Sequence, residues 1–259
     1  MNIKDDYVKF IDKWGLVQPP PKGKTSANGA RYTAEYIAVL KLHNQLSEEE
    51  KSRLRAVYRN LEAEPGLLMR TPDNKWGQES IDNTLSCIYV DHVINTGFCR
   101  RWLKYGRVHS AESFNTNETK KYAKLIYNIL SCFGFFSVKF VFNNKTPYTF
   151  TFSSWFGRFP YLIALTKLVS GEKIGFVRKT LIALALYMGS KDMVKHEDPA
   201  ILGWFTIQIA RKESWLIDWV VRKFWIPSVK KKWPEAGIGG AVWPLYDHPT
   251  SMYLNGIFE

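Results

Sequence analysis

The chain lacks most of the patterns by which a sequence declares its chemistry. It has three cysteines, Cys87, Cys99 and Cys132. An odd number with no Cys-x-x-Cys spacing argues against a disulfide framework and a cysteine-based zinc site, and suits a reducing compartment. Gly237-Ile238-Gly239-Gly240 has neither the lysine nor the preceding strand that a phosphate cradle needs. There is no Gly-x-Ser-x-Gly elbow and no His-Glu-x-x-His or His-x-His pair. Neither a metal nor a cofactor is expected. The longest apolar run, 125–142, is broken by Asn128, Ser131, Gly134, Ser137 and Lys139. It reads as a buried helix followed by a strand rather than as a membrane span. Met1 to Asp6 leads into no apolar core, so no signal peptide is expected and production in the cytoplasm is.

What is present is globular. Of 259 residues, 46% are hydrophobic and 23% charged, a balance that can bury a core. Aromatics reach 15%, with ten Trp. Most of these rings belong in a core, although Trp and Tyr also suit flat partners such as sugar faces and bases. The formal charge of +12 fits a polyanion partner: nucleic acid, an acidic polysaccharide or an anionic membrane surface. A dispersed, solvated basic surface explains it equally well. Lys230-Lys231-Lys232 is the tightest basic run.

The periodicity predicts a single all-α domain over residues 1–259, with 1–30 as an N-terminal helix and a Pro-rich arm at Pro19-Pro20-Pro21. Apolar residues at helical spacing predict helices over 5–14, from a Thr33 cap to Gln45, and from Ser47, where Ser47 and Glu50 form a capping box. About one turn residue separates the latter two, which predicts an antiparallel hairpin. Glu64-Pro65-Gly66 reads as a helix stop followed by a polar loop. Helices are then predicted over 79–95, 98–105 and 117–133. Alternation over 136–142 and 148–152 predicts a small β-hairpin near 136–152. Later helices are predicted from about Tyr161 to Val169, over 172–188, from an Asp198 cap to Arg211, and over 213–225 ahead of Pro227. The tail from Pro234 to Tyr246 is Gly- and Pro-rich and is expected to be irregular, with a last short helix near Thr250.

Five groups of residues carry potential chemistry. Arg70, Asp73, Trp76, Glu79, Asp82 and Asn83 gather at the start of the 79–95 helix. Glu79 shares a face with Asp82 and Asn83, and paired carboxylates across a cleft serve glycosidic chemistry. Ordinary first-turn acids that cap amides and favour the helix dipole give the same pattern. Asp91-His92 places an acid beside a histidine, but adjacent helical residues diverge by about 100°. Lys195-His196-Glu197-Asp198 precedes a helix, where anions bind. Trp243 to Pro249 offers Trp243, Asp247 and His248 on an irregular segment of the kind that lies over sites. Tyr148, Trp155, Arg158 and Tyr161 combine a guanidinium with rings, suiting a sugar, a base or a packed corner.

Pro65-Gly66-Leu67, Arg70 and Ser80-Ile81-Asp82-Asn83 at a helix start, followed by paired helices and a late Trp-rich pair, resemble the six-hairpin α/α-toroid glycosidases and polysaccharide lyases over about residues 33–258. That resemblance implies catalysis by Asp82 and Asp198 on opposite walls of a cleft, with His92 and Tyr161 as further candidates. The clusters described above supply the candidate substrate contacts: Arg70, Trp76, Glu79, Asn83, Trp155, Arg158, Trp243, Asp247 and His248. The compact, aromatic, motif-poor chain is also similar to bacteriophage-encoded proteins. On that likeness the partners would be other virion proteins and the role a structural one.

Overall fold

A computed structural model describes residues 3–18, 28–73, 79, 81–105, 107–108, 139–140, 152–192 and 197–232. These are mostly helical, as the periodicity predicts. Helix α1 spans Ile3–Tyr7 and tightens into a 3-10 turn, Val8–Phe10. It stops short of Trp14 because the Asp12 carboxylate accepts the N–H groups of Trp14 (2.8 Å) and Leu16 (3.0 Å). This side-chain competition for backbone donors turns the chain back, and Ile11 then bridges Val17.

Helix α2, Gly29–Leu42, begins ahead of Thr33, which is therefore not its cap. Thr33 is fully buried. Its hydroxyl donates to the Gly29 carbonyl (2.7 Å) and accepts the Val17 N–H (2.9 Å), tying the N-terminal segment to α2. Helix α3, Glu48–Asn60, does start at Ser47, whose side chain accepts the Glu50 N–H (3.2 Å). Only that half of the capping box forms. The Ser47 N–H donates to the Gln45 carbonyl, and the Glu50 side chain turns inward to Arg53, Tyr36 and Lys4. Residues 43–47, rather than a single turn residue, join α2 to α3. The two run antiparallel, bridged by long side chains: Tyr36 meets Glu50 at 3.2 Å and Tyr58 donates to the Ala30 carbonyl at 2.6 Å.

The expected helix stop and loop at Pro65-Gly66 is a β-hairpin. Strand β1, Glu62–Glu64, pairs antiparallel with β2, Leu67–Leu68. Gly66 has φ +76°, and a Cβ there would lie 2.8 Å from the Trp102 Cα, so both the turn and the close backbone approach require glycine.

Helix α4, Ile81–Ile94, is the axis of the fold. Every residue from 83 to 91 is buried, as befits a helix that is packed all round. Around it pack α2, α3, α5 (Phe98–Tyr105), α6 (Phe152–Val169) and α8 (Glu197–Ala210). The Tyr89 ring stacks on Phe205 at 4.4 Å and meets Trp204 edge-on at 5.5 Å. Helix α6 begins at Phe152 rather than near Tyr161 and contains Pro160. Of the β-hairpin expected near 136–152, residues 136–138 and 141–151 lie outside the described residues. Lys139–Phe140 pairs in parallel with Arg107–Val108, and Phe152 is helical.

Helix α7 spans Phe176–Asp192. The last run begins at Ser214, whose side chain accepts the Leu216 N–H. It comprises α9 (Trp215–Val220), a π turn (Val221–Trp225) and α10 (Ile226–Lys232). It passes through Pro227, which was expected to end it. The Ile226 N–H reaches back five residues to the Val221 carbonyl. This wide turn lies where the Pro227 ring would otherwise crowd the Lys223 carbonyl. The predicted 117–133 helix, the prolines at 19–21 and the tail lie outside the described residues.

Candidate functional site

A polar cluster sits where the ends of α2, α3 and α4 converge. Strand β2 positions its first member: the Glu79 N–H donates to the Leu68 carbonyl (2.9 Å). The Glu79 side chain is 0% exposed. Its Oε1 accepts the Asn83 amide at 3.0 Å and stands 4.0 Å from Arg70 Nε. Asn83, one helical turn on, also donates to Asn28 Oδ1 (3.0 Å), joining α4 to the residue before α2. The Thr71 hydroxyl holds Asp73 at 2.7 Å. From α2, Arg31 Nε lies 3.3 Å from Glu35 Oε1, and both residues are buried. Burial, and then the nearby Cys87, Glu79 and Glu35, push the Tyr58 phenol far above its ordinary range. Tyr58 thus stays a protonated donor, and it donates to the Ala30 carbonyl. Burial also holds the Cys87 thiol protonated.

Each of the two buried glutamates faces an arginine, and Glu79 also accepts the Asn83 amide. This arrangement balances charge in a dry site, and it fastens three helix ends together.

Arg70, Glu79 and Asn83, singled out from the sequence, are therefore brought together. Asp82 lies on the first turn of α4 and Asp198 on the first turn of α8, which begins at Glu197. The side chains of Asp82, Asp198, Trp155 and Arg158 are outside the description; the last two lie on α6. Trp76, Tyr148, Trp243, Asp247 and His248 lie outside the described residues. Tyr161 is half-buried on α6 against the hydrophobic core.

Asp91 does not serve to orient His92. It is buried, and it accepts the Thr96 hydroxyl (2.9 Å), the Gly97 N–H (2.6 Å) and the Cys99 N–H (2.8 Å), clamping the α4–α5 corner. His92 is on the outward side of α4. The surrounding mass of the fold, then the Lys41 ammonium, lower its pKa against a smaller opposing pull from Asp91. Lys41 is lowered in turn by burial and by Lys212. Two lysines and a histidine from distant parts of the sequence thus share one corner.

The chain matches no family model, no curated protein and no solved structure. Among the described residues, no group of three or more His, Cys, Asp or Glu is placed to hold a metal, and no helix is long and apolar enough to cross a membrane.

The sequence reading missed Arg31, Glu35 and Tyr58. The signal for the first two was present: an i,i+4 charge pair within the otherwise apolar 29–40 stretch. A charge pair on a buried helix needs a polar site around it.

Proposed function

We propose that the chain is a non-catalytic helical binding protein whose buried carboxylates hold its frame together. The observation that carries this reading is the commitment of those carboxylates. Glu79 is closed off from solvent between Asn83 and Arg70, and Asp91 spends both oxygens on the α5 entry. Glu62 accepts Arg101 at 2.8 Å and the Gly66 N–H at 2.9 Å. A general acid or base must reach the substrate it serves, and these groups reach only the protein.

The alternative is a carbohydrate-engaging enzyme built as a toroid of helical hairpins around a cleft. The central α4, buried at every residue from 83 to 91, favours a filled bundle over an open cleft. The deciding experiment incubates the purified protein with neutral and acidic polysaccharides and follows product release and binding together. The binding reading predicts no release from any of them. Turnover that disappears in Asp82→Asn would return the site to glycosidic chemistry.

A further inference from the structure

Helices α7 and α9 lie side by side and run in the same direction. Just before α9, the Glu213 carbonyl accepts Lys179 Nζ at 2.6 Å, and in the π turn just after it Phe224 meets the Tyr187 ring edge-on at 4.9 Å. Both helices carry large apolar side chains in solvent. On α7 these are Phe176 (73% exposed), Val177, Leu184 and Met188 (66%); on α9 they are Trp215 (76%) and Trp219 (45%). Leu184 and Met188, like Trp215 and Trp219, are four residues apart and so share a helix face. Scattered exposed apolar residues are normal, but a contiguous set with a polar rim marks an interaction surface.

The two segments that carry this ridge are lopsided in charge by sequence. Residues 172–192 and 211–232 hold eleven Lys and Arg against four Asp and Glu, a surplus of seven in a chain whose whole surplus is twelve. The acids are partly spent within the ridge, since Asp218 is held by Arg211 at 2.6 Å and Arg222 at 2.8 Å. Lys212 and Lys223 are exposed, three residues before Trp215 and four after Trp219. A second copy of the chain would press one cationic rim against another. A neutral partner would leave the surplus unused.

We propose that the α7–α9 ridge seats on an anionic lipid surface, its tryptophans and aliphatic side chains entering the headgroup region while the lysines meet lipid charge. Indole rings are suited to that boundary, and interfacial helices combine an apolar face with Lys and Arg in this way. The inference rests on the non-catalytic reading above. The two fail separately: turnover of a polysaccharide would overturn that reading, while the results below bear on the lipid surface.

The test pellets the full chain with vesicles of phosphatidylcholine alone and of phosphatidylcholine mixed with phosphatidylserine. Binding is expected only to the mixed vesicles, weakening as salt is raised. Lys212→Ala and Lys223→Ala should each weaken it about fivefold. Brominated acyl chains should quench tryptophan emission in the bound wild type. Trp215→Phe/Trp219→Phe should lose that quenching while still pelleting. Both positions are exposed, so the variant should melt with the wild type. Equal pelleting with neutral vesicles, or none with mixed ones, would overturn the proposal. So would a dimer abolished by Trp215→Ser/Trp219→Ser without vesicle binding, which would give the ridge to a second copy. Polyglutamate that displaces the protein from vesicles while matching their affinity would give it to an acidic protein instead.

Discussion

Replacing Asp91 should cost the fold far more than replacing an ordinary helical acid. Its carboxylate takes three hydrogen bonds, from the Thr96 hydroxyl and from the Gly97 and Cys99 N–H groups, between 2.6 and 2.9 Å. Thr96 is 2% exposed and Cys99 0%, so water cannot replace the acceptor there, while the half-buried Gly97 can find it. A buried donor left unmade costs about 1–3 kcal/mol, and losing the negative charge at the α5 entry costs roughly 0.5 kcal/mol more. Asp91→Ala is therefore expected to lose about 3 kcal/mol. Asp91→Asn, which keeps one oxygen but turns an amide towards a donor, should lose about half of that. At a urea slope of about 2 kcal/mol/M, the alanine variant unfolds roughly 1.5 M earlier. Equilibrium urea unfolding followed by circular dichroism measures this directly. A change below about 0.5 kcal/mol in Asp91→Ala, the range of ordinary surface substitutions, would refute the clamp.

Other consequences follow from single contacts. Gly66→Ala forces a Cβ to 2.8 Å from the Trp102 backbone at a positive φ and should cost upwards of about 2 kcal/mol, read as a lowered melting temperature. Burial raises the pKa of the Glu50 carboxyl, but hydrogen bonds and charges from Arg53 and Lys4 outweigh it and hold it below the ordinary value. The resulting stability is present above the unfolded pKa of about 4.3 and is lost as pH falls through the lower folded value. Glu50→Gln should therefore differ most from wild type at neutral pH, and the gap in urea midpoint should close in acid. Lys41 helps to depress His92, so Lys41→Gln should raise the His92 pKa in an NMR titration without restoring it fully, because burial remains the larger cause.

The all-α frame was legible because its helices bury regular apolar stripes. Helix α5 was read with both of its ends, Phe98 and Tyr105, and the start of α3 from its Ser47 cap. What was misread turned on contacts from outside the local window. Thr33 has the composition of a cap, but the Val17 N–H claims its hydroxyl. Asp12 stops α1 through a local bond that competes with the helix. Pro160 and Pro227 look like helix stops, yet both lie within helices, the second beside a π turn. Pro65-Gly66 has the composition of a helix end, but Pro then Gly with positive φ is also the signature of a tight turn between strands. Arg70, Glu79 and Asn83 were legible as a group because β2 and the first turn of α4 join them over a short stretch of chain. Arg31, Glu35 and Tyr58 were not, because only the packing of α2 and α3 against α4 brings them alongside.

The central claim is that the buried carboxylates serve the frame and are not poised for chemistry, and the urea midpoint of Glu79→Gln tests it most directly. Residues held for catalysis are often strained, and replacing them tends to stabilise a fold. A carboxylate that fastens helix ends behaves in the opposite way. The account predicts a midpoint lower by about 1 M, a loss of about 2 kcal/mol, as Arg70 loses its countercharge and the Asn83 amide its charged acceptor. A midpoint at or above that of the wild type would contradict it.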